Sequence, residues 1–340
     1  MQLPHLSQAR APLTHEVCVV NEHGESSSTA IPAERDLTVY VDKRELVTLM
    51  TLGAHPELLV LGFLRNQRLV ASVGEIESIS VDWEVNSAAV KTRSGIDNIE
   101  ARTAKKVVTT GCGQGSVFGS LMDEIDSIQL PASVLTQAQL YGITNAIRLQ
   151  ETTYKSAGSV HGCALFRGEE MVMFVEDVGR HNAIDTIAGW MWMNGINVAP
   201  TLATACAALP PEGALAPKGG LSALDTPTLA TACAALPPEG ALAPKGGLSA
   251  LDTPTLATAS TNPYVFYTTG RLTSEMVIKS AQMGIAIVVS RSGITQMGHD
   301  LATKLGLCTI GRAMNKRFLC YTAPDRLQLD PALAGPKTER

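Results

Sequence analysis

Hydrophobic and polar positions alternate along this chain with two distinct periods. The stretch "LTVYVDKRELVTLM" from Leu37 reads as strand, polar turn and strand, and "HPELLVLGFLRN" places Leu58, Leu61 and Leu64 at helical spacing. In "ISVDWEV", Ile79, Val81, Trp83 and Val85 alternate with Ser80, Asp82 and Glu84, the pattern of a strand with one wet face. Further on, "EMVMFVEDVGRHNAIDTIAGW" predicts a strand over Met171 to Val175, then a turn and a helix through Ala183, Ile184 and Ile187. The chain from Tyr264 repeats the scheme. "YVFYT" is a strand, Thr273 caps a helix with Glu275 in its first turn, and Gly284 ends it. "IAIVV" is an apolar run of buried-strand type, Thr295 caps "QMGHDLATKL", Gly306 closes that helix, and "LCTI" is another strand. Strands separated by helices of this length predict βαβ crossovers and a parallel sheet, hence an α/β fold preceded by a smaller α+β unit.

Two segments lack such periodicity. Residues 1–34, rich in Ser, Thr, Pro and His, read as a flexible N-terminal tail. The other is a perfect tandem repeat: "TLATACAALPPEGALAPKGGLSALDTP" occupies 201–227 and recurs unchanged at 228–254. Two copies without a strand pattern are too few for a solenoid, so 201–254 reads as an insertion tolerated at the surface. The resulting organisation is a tail (1–34), a small α+β domain ending in the Cys112 loop (35–130), a second domain interrupted by the repeat (131–330), and a C-terminal tail (331–340).

Composition narrows the class. With 45% hydrophobic and 17% charged residues the chain reads as globular, and a net charge of −5 gives no support to a nucleic-acid surface. Seven cysteines without close pairs argue against a disulfide framework and for a reducing cytoplasm. Neither a secretory signal nor an apolar run near the ~18 residues needed to span a bilayer is found.

Ligands of parallel α/β sheets collect beyond the carboxyl ends of the strands. There the sequence delivers cations four times: Arg180 with His181 in "EDVGRHN", Arg271 in "TTGR", Arg291 in "SRS", and Arg312, Lys316 and Arg317 in "GRAMNKR". Guanidiniums beside helix N-termini match phosphate, above all a pyrophosphate. Pairing of single arginines with carboxylates such as Glu176, Asp177 or Asp185 is the competing reading. No zinc site is formed by "HGC" at His161 alone, since CxxC is absent. In "TTGCGQGSVFG", glycines 111, 113 and 115 could expose Cys112, and Lys105 and Lys106 could support a thiolate; a turn filler and a nucleophile are both compatible with that setting.

"GCGQGS", "VEDVGRHNAIDTIAG" and the stretch from "YTTGRLTSEMVIKSAQMG" through "GRAMNKRFLCYT", in this order and spacing, resemble the FdhD family of formate dehydrogenase accessory sulfurtransferases, from about Leu37 to Leu327 apart from the insertion. The resemblance implies a cytidine-deaminase-like α/β/α C-terminal domain without zinc, and a homodimer. It implies a persulfide on Cys112, loaded by a cysteine desulfurase. It also implies binding of a molybdenum bis(molybdopterin guanine dinucleotide) cofactor as substrate by Arg312, Ala313, Met314, Asn315, Lys316 and Arg317, in the service of formate dehydrogenase. Two departures stand out: Gly115 replaces a second cysteine of the family's CGxCG, and Arg312 stands where an aromatic residue is expected. A cofactor-binding chaperone without sulfur chemistry is the alternative.

Overall fold

The computed structural model describes residues 2–96, 107–108, 115–116, 127–150, 152–196 and 262–333. The first strands lie where the sequence predicts a flexible tail: β1 (His5–Leu6), β2 (Thr14–Val20) and β3 (Ser26–Pro32). β1 pairs parallel with a later strand, and β2 and β3 pair antiparallel from Thr14↔Pro32 to Val20↔Ser26. The β2–β3 ribbon is half-buried at best, so backbone hydrogen bonds rather than an apolar face hold it, and no alternation marks it in the sequence. Its turn is closed by Asn21, whose Oδ1 accepts from the His23 and Glu25 amides at 2.9 Å each.

β4 (Arg35–Val41) and β5 (Arg44–Thr51) form the expected hairpin. Asp42 and Lys43 turn it with φ of 47° and 73°, the positive values of a two-residue turn that follows the strand twist. Helix α1 (Pro56–Asn66) starts on Pro56, and β6 (Ile76–Asp82) and β7 (Ser87–Thr92) complete a five-stranded sheet of order β1-β6-β7-β4-β5. Leu37, Val39, Leu49, Ile79 and Val90 from this sheet pack on Leu59, Val60, Phe63 and Leu64 of α1.

The short strands β8 (Val107–Val108) and β9 (Gly115–Ser116) pair antiparallel. β10 (Leu135–Thr136) leads into α2 (Gln137–Leu149), which begins with a reciprocal capping box between Thr136 and Gln139. Then follow α3 (Thr153–Ala157), β11 (His161–Arg167), β12 (Glu170–Asp177), α4 (Arg180–Met193), β13 (Tyr264–Thr268), α5 (Ser274–Gln282), β14 (Ile287–Ser290), α6 (Gln296–Leu305), β15 (Cys308–Met314), β16 (Arg317–Thr322) and β17 (Leu327–Gln328). Six of these strands form one sheet of order β12-β11-β13-β14-β15-β16. The pairs β13–β14 and β14–β15 are parallel, as the crossover helices α5 and α6 require. The sheet as a whole is mixed rather than parallel, because β11 runs antiparallel to both β12 and β13, and β16 antiparallel to β15. Both added strands come from tight hairpins, β11–β12 turning at Gly168 with φ of 61°.

Helices cover both faces of this sheet. Cys163, Leu165, Phe266 and Val288 face α4, α5 and α6, whereas Ala164, Phe166, Val265, Tyr267 and Ile310 face α2. Strands buried on both sides read as continuous apolar runs, which is why "IAIVV" shows no alternation. Helix α4 is buried almost all round because it lies between this sheet and α1. The two helices touch at backbone distance: a Cβ on Gly62 would fall on the Asp185 carbonyl oxygen, and one on Gly189 on that of Leu58. Among the described residues, no helix is long and apolar enough to cross a membrane.

Candidate functional site

β12 and β13 both oppose β11, and β13, β14 and β15 are mutually parallel, so the carboxyl ends of four strands share one edge. The turns there are stitched by hydroxyls. Thr268 Oγ1 accepts from the Gly270 amide at 3.1 Å. Ser290 Oγ donates to the Gly270 carbonyl at 2.7 Å and accepts from the Ser292 amide at 2.9 Å. The Arg291 amide donates to the Thr268 carbonyl, and the Arg312 amide to the Ser292 carbonyl. Gly270 leaves room for its neighbours, since a Cβ there would stand 2.8 Å from Arg180 Cδ and 3.5 Å from His161 Nδ1. β15 ends in an irregular register between Gly311 and Met314, with Arg312 and Asn315 at φ of 50° and 55°. Asparagine tolerates that region; arginine rarely occupies it, and such conformations gather at binding sites.

A cavity of about 710 Å³ opens at this edge, walled by the sheet on one side and by α2 and α3 on the other. Of the sequence-predicted residues, Arg291, Ala313, Met314 and Asn315 line it. Arg180 and Arg271 are not in its wall, but their charges act on His161, which is. Arg312, Lys316 and Arg317 are exposed on the β15–β16 hairpin beside it. That hairpin docks on α2, where Tyr141 Oη donates to the Lys316 carbonyl and Thr144 Oγ1 to the Asn315 carbonyl, both at 3.2 Å. His181 is buried away from the cavity wall, its Nε2 3.3 Å from Glu275 Oε2. Cys112 lies outside the described residues, in the chain between the paired strands β8 and β9.

The cavity also holds residues that the sequence did not single out: Arg148 from the last turn of α2, Lys155 from α3, and Tyr267. Nothing in the linear pattern distinguishes Arg148 from an ordinary C-terminal helix cation; its role follows only from α2 lying over the sheet edge. Glu176 is in the wall too, but its carboxylate is taken up by the Thr153 and Tyr154 amides at 2.5 and 3.2 Å. Burial, then Arg180 and Arg271, lower the His161 pKa, so the imidazole is neutral at pH 7. Burial pushes the Tyr267 phenol up to about 12 and keeps it a donor. Cations, a phenol and a neutral imidazole on one hollow suit an anionic, hydrogen-bonding ligand with a planar part. Cys163, next to this wall, has its thiol raised to about 12 by burial, and it donates to Thr268 Oγ1 at 3.3 Å. At pH 7 burial therefore keeps it as a thiol.

Sulfur carrier proteins are among the known proteins of similar sequence. The sulfur carrier proteins FdhD of Halalkalibacterium halodurans and of Bacillus subtilis are 23% and 24% identical to this chain over 300 and 314 residues. These alignments cover 87% and 90% of this chain and 88% and 94% of the relatives. The crystal structure of a formate dehydrogenase accessory protein from Desulfotalea psychrophila superposes with a TM-score of 0.60 at 19% identity, over 93% of this chain and all of that one, and shares the mixed α/β fold. The sequence model of the FdhD/NarQ family matches residues 32–208 and 254–328, skipping only a stretch inside the tandem repeat, and the chain belongs to that family.

Proposed function

We propose that this protein is a sulfurtransferase that accepts sulfur from a cysteine desulfurase as a persulfide on Cys112. It passes that sulfur to the metal of a molybdenum bis(molybdopterin guanine dinucleotide) substrate required by formate dehydrogenase. The observation that carries the reading is the cavity of about 710 Å³ at the edge where Arg180, Arg271, Arg291 and the hairpin 312–317 converge. Such a hollow has room for a guanine nucleotide arm, with Arg291, Arg148 and Lys155 toward its phosphates and Asn315 toward its polar edges. Arg180 and Arg271 add charge from behind His161, and Arg312, Lys316 and Arg317 extend the positive rim; His181, buried against Glu275, supports the start of α4 rather than touching the ligand.

In this reading the Cys112 thiolate attacks the terminal sulfur of the desulfurase persulfide, and the desulfurase thiolate leaves. The terminal sulfur of the Cys112 persulfide then passes as sulfane sulfur to the bound substrate in its reduced form, which gives the two electrons that turn it into sulfide, and the Cys112 thiolate returns, so the cysteine that Gly115 replaces is not needed. The C-terminal domain is of cytidine-deaminase type, the active form is a homodimer, and the work is done in the cytoplasm. The test is mass spectrometry of the protein after incubation with desulfurase and cysteine, alongside a GDP titration. A persulfide on Cys112, and GDP affinity that falls at least about tenfold in Arg291→Ala, are the expected results. Tight GDP binding without any persulfide would instead establish a cofactor chaperone.

A further inference from the structure

Two cysteines that this function does not use meet at the far end of β15 from the cavity. Cys308 opens β15, and Cys320 lies on β16, the edge strand of the six-stranded sheet. A regular ladder continuing from Thr309↔Thr322 would place Tyr321 opposite Ile310 and turn Cys320 to the face of Thr309, away from Cys308. The register instead passes directly to Ile310↔Cys320, leaving Tyr321 as an extra residue. A one-residue slip exchanges the faces of a strand, and a bulge is the usual means. Cys320 thus arrives on the face of Cys308 and Ile310, against the core beneath α2. The two sulfurs are 3.9 Å apart.

Their environments differ. Cys308 is buried, and its hydrogen bond with Cys320, together with burial, pushes its pKa well above the ordinary thiol value. Cys320 is half-buried at the sheet edge, and the same hydrogen bond lowers its pKa. One member is therefore the accessible nucleophile and the other a sheltered partner poised behind it.

We propose that Cys308 and Cys320 form a reversible dithiol–disulfide site that reacts with small disulfides of the glutathione type. The Cys320 thiolate attacks one sulfur of the small disulfide, making a mixed disulfide and expelling one thiolate. Cys308 gives its proton to that thiolate and attacks the Cys320 sulfur, forming the Cys308–Cys320 bond and releasing the second small thiol. Two protein thiols are oxidised and one small disulfide is reduced to two thiols, so no further oxidant enters. An S–S bond of about 2.05 Å requires the sulfurs to close by about 2 Å, on an edge strand with no further strand paired outside it among the described residues. The bond would tie the base of the hairpin whose tip, Asn315–Lys316, borders the cavity.

The experiment incubates the full-length chain in graded mixtures of oxidised and reduced glutathione, alkylates the remaining thiols, and maps the digest by mass spectrometry. The expected result is a cross-linked peptide pair containing Cys308 and Cys320, lighter by two hydrogens and restored by dithiothreitol. In Cys308→Ser the reaction should stop at a glutathione adduct on Cys320. The exposed Cys18 serves as the internal control for oxidation. Oxidation of Cys18 while Cys308 and Cys320 stay alkylated, or a glutathione adduct persisting on Cys320 in the unsubstituted chain, would overturn the proposal. Because the decisive map is made on the natural sequence, a folding defect in the variant cannot obscure it.

Discussion

His181 has only 4% of its surface exposed and faces Glu275, yet it is no partner in an ion pair. Burial first, then the positive charges of Lys279 and Arg180, push its pKa down to about 2, and Lys279, 3.3 Å from the same carboxylate, supplies the compensating charge in its place. The sign of the consequence follows from linkage. Below the unfolded value of about 6.5 the unfolded chain takes up a proton that the folded one refuses, so stability is complete above pH 6.5 and falls as the pH drops toward 2. Between pH 7 and pH 5 the contribution lost is about 2 kcal/mol. His55 and His161, also lowered, act in the same sense, whereas Asp177 and Asp185, raised by burial, act in the opposite one. The comparison that isolates His181 is therefore urea unfolding of the natural protein and of His181→Gln at both pH values. The variant should lose about 2 kcal/mol less on acidification; equal losses would mean that the ring is already charged in the folded state.

At the scale of elements, the contact between α1 and α4 leaves the least room for a Cβ among the described glycines. Gly62 and Gly189 let the two backbones meet, and across the same contact Asn66 donates to the fully buried Asp185 carboxylate at 2.7 Å, which also accepts from Lys279 of α5 at 2.8 Å. Gly62→Ala must part the helices and strain that network. A cost of about 1–3 kcal/mol or more is expected, read as a lower urea midpoint at unchanged slope; an unchanged midpoint would show that the helices yield freely. Helix α1 itself was legible from leucine spacing, and α5, α6, β13 and β15 from caps and apolar runs, because each carries its signal within one element. Strands β1 to β3 carry none, being held by backbone pairing at the surface. β11 was missed because in "HGCALFR" the apolar run from Cys163 to Phe166 is short and follows His161 and Gly162, so neither alternation nor a long run marks it. The site divides in the same way. Cations following strands are visible in a line of text, but Arg148 and Lys155 reach the cavity only through the placement of α2 and α3, and the bulge that unites Cys308 with Cys320 depends on a register that no single strand encodes.

For the whole molecule, the question is what the tandem repeat contributes. The chain runs from α4, which ends at Met193, to β13, which begins at Tyr264 and pairs with β11 and β14 in its own register. The FdhD/NarQ family model passes from residue 208 to residue 254, so the family's shared pattern does not use what lies between. The two 27-residue copies are identical, and deleting 228–254 leaves the first copy joined to the same "TLATA" that now follows the second. Treated as a plain connection, the link becomes shorter by less than half, which changes its closure entropy by less than about 0.6 kcal/mol, the value for one doubling of length. For a fold of this size that is a shift in Tm of no more than about 2 °C, and toward higher temperature. The variant should therefore melt within that interval of the natural protein and, under the function proposed above, bind GDP with the same affinity and activate formate dehydrogenase equally. A fall in Tm well beyond that interval would place the repeat in the folding core. Intact melting with lost activation would instead make it a contact surface for a partner protein, separating a role in stability from one in partnership.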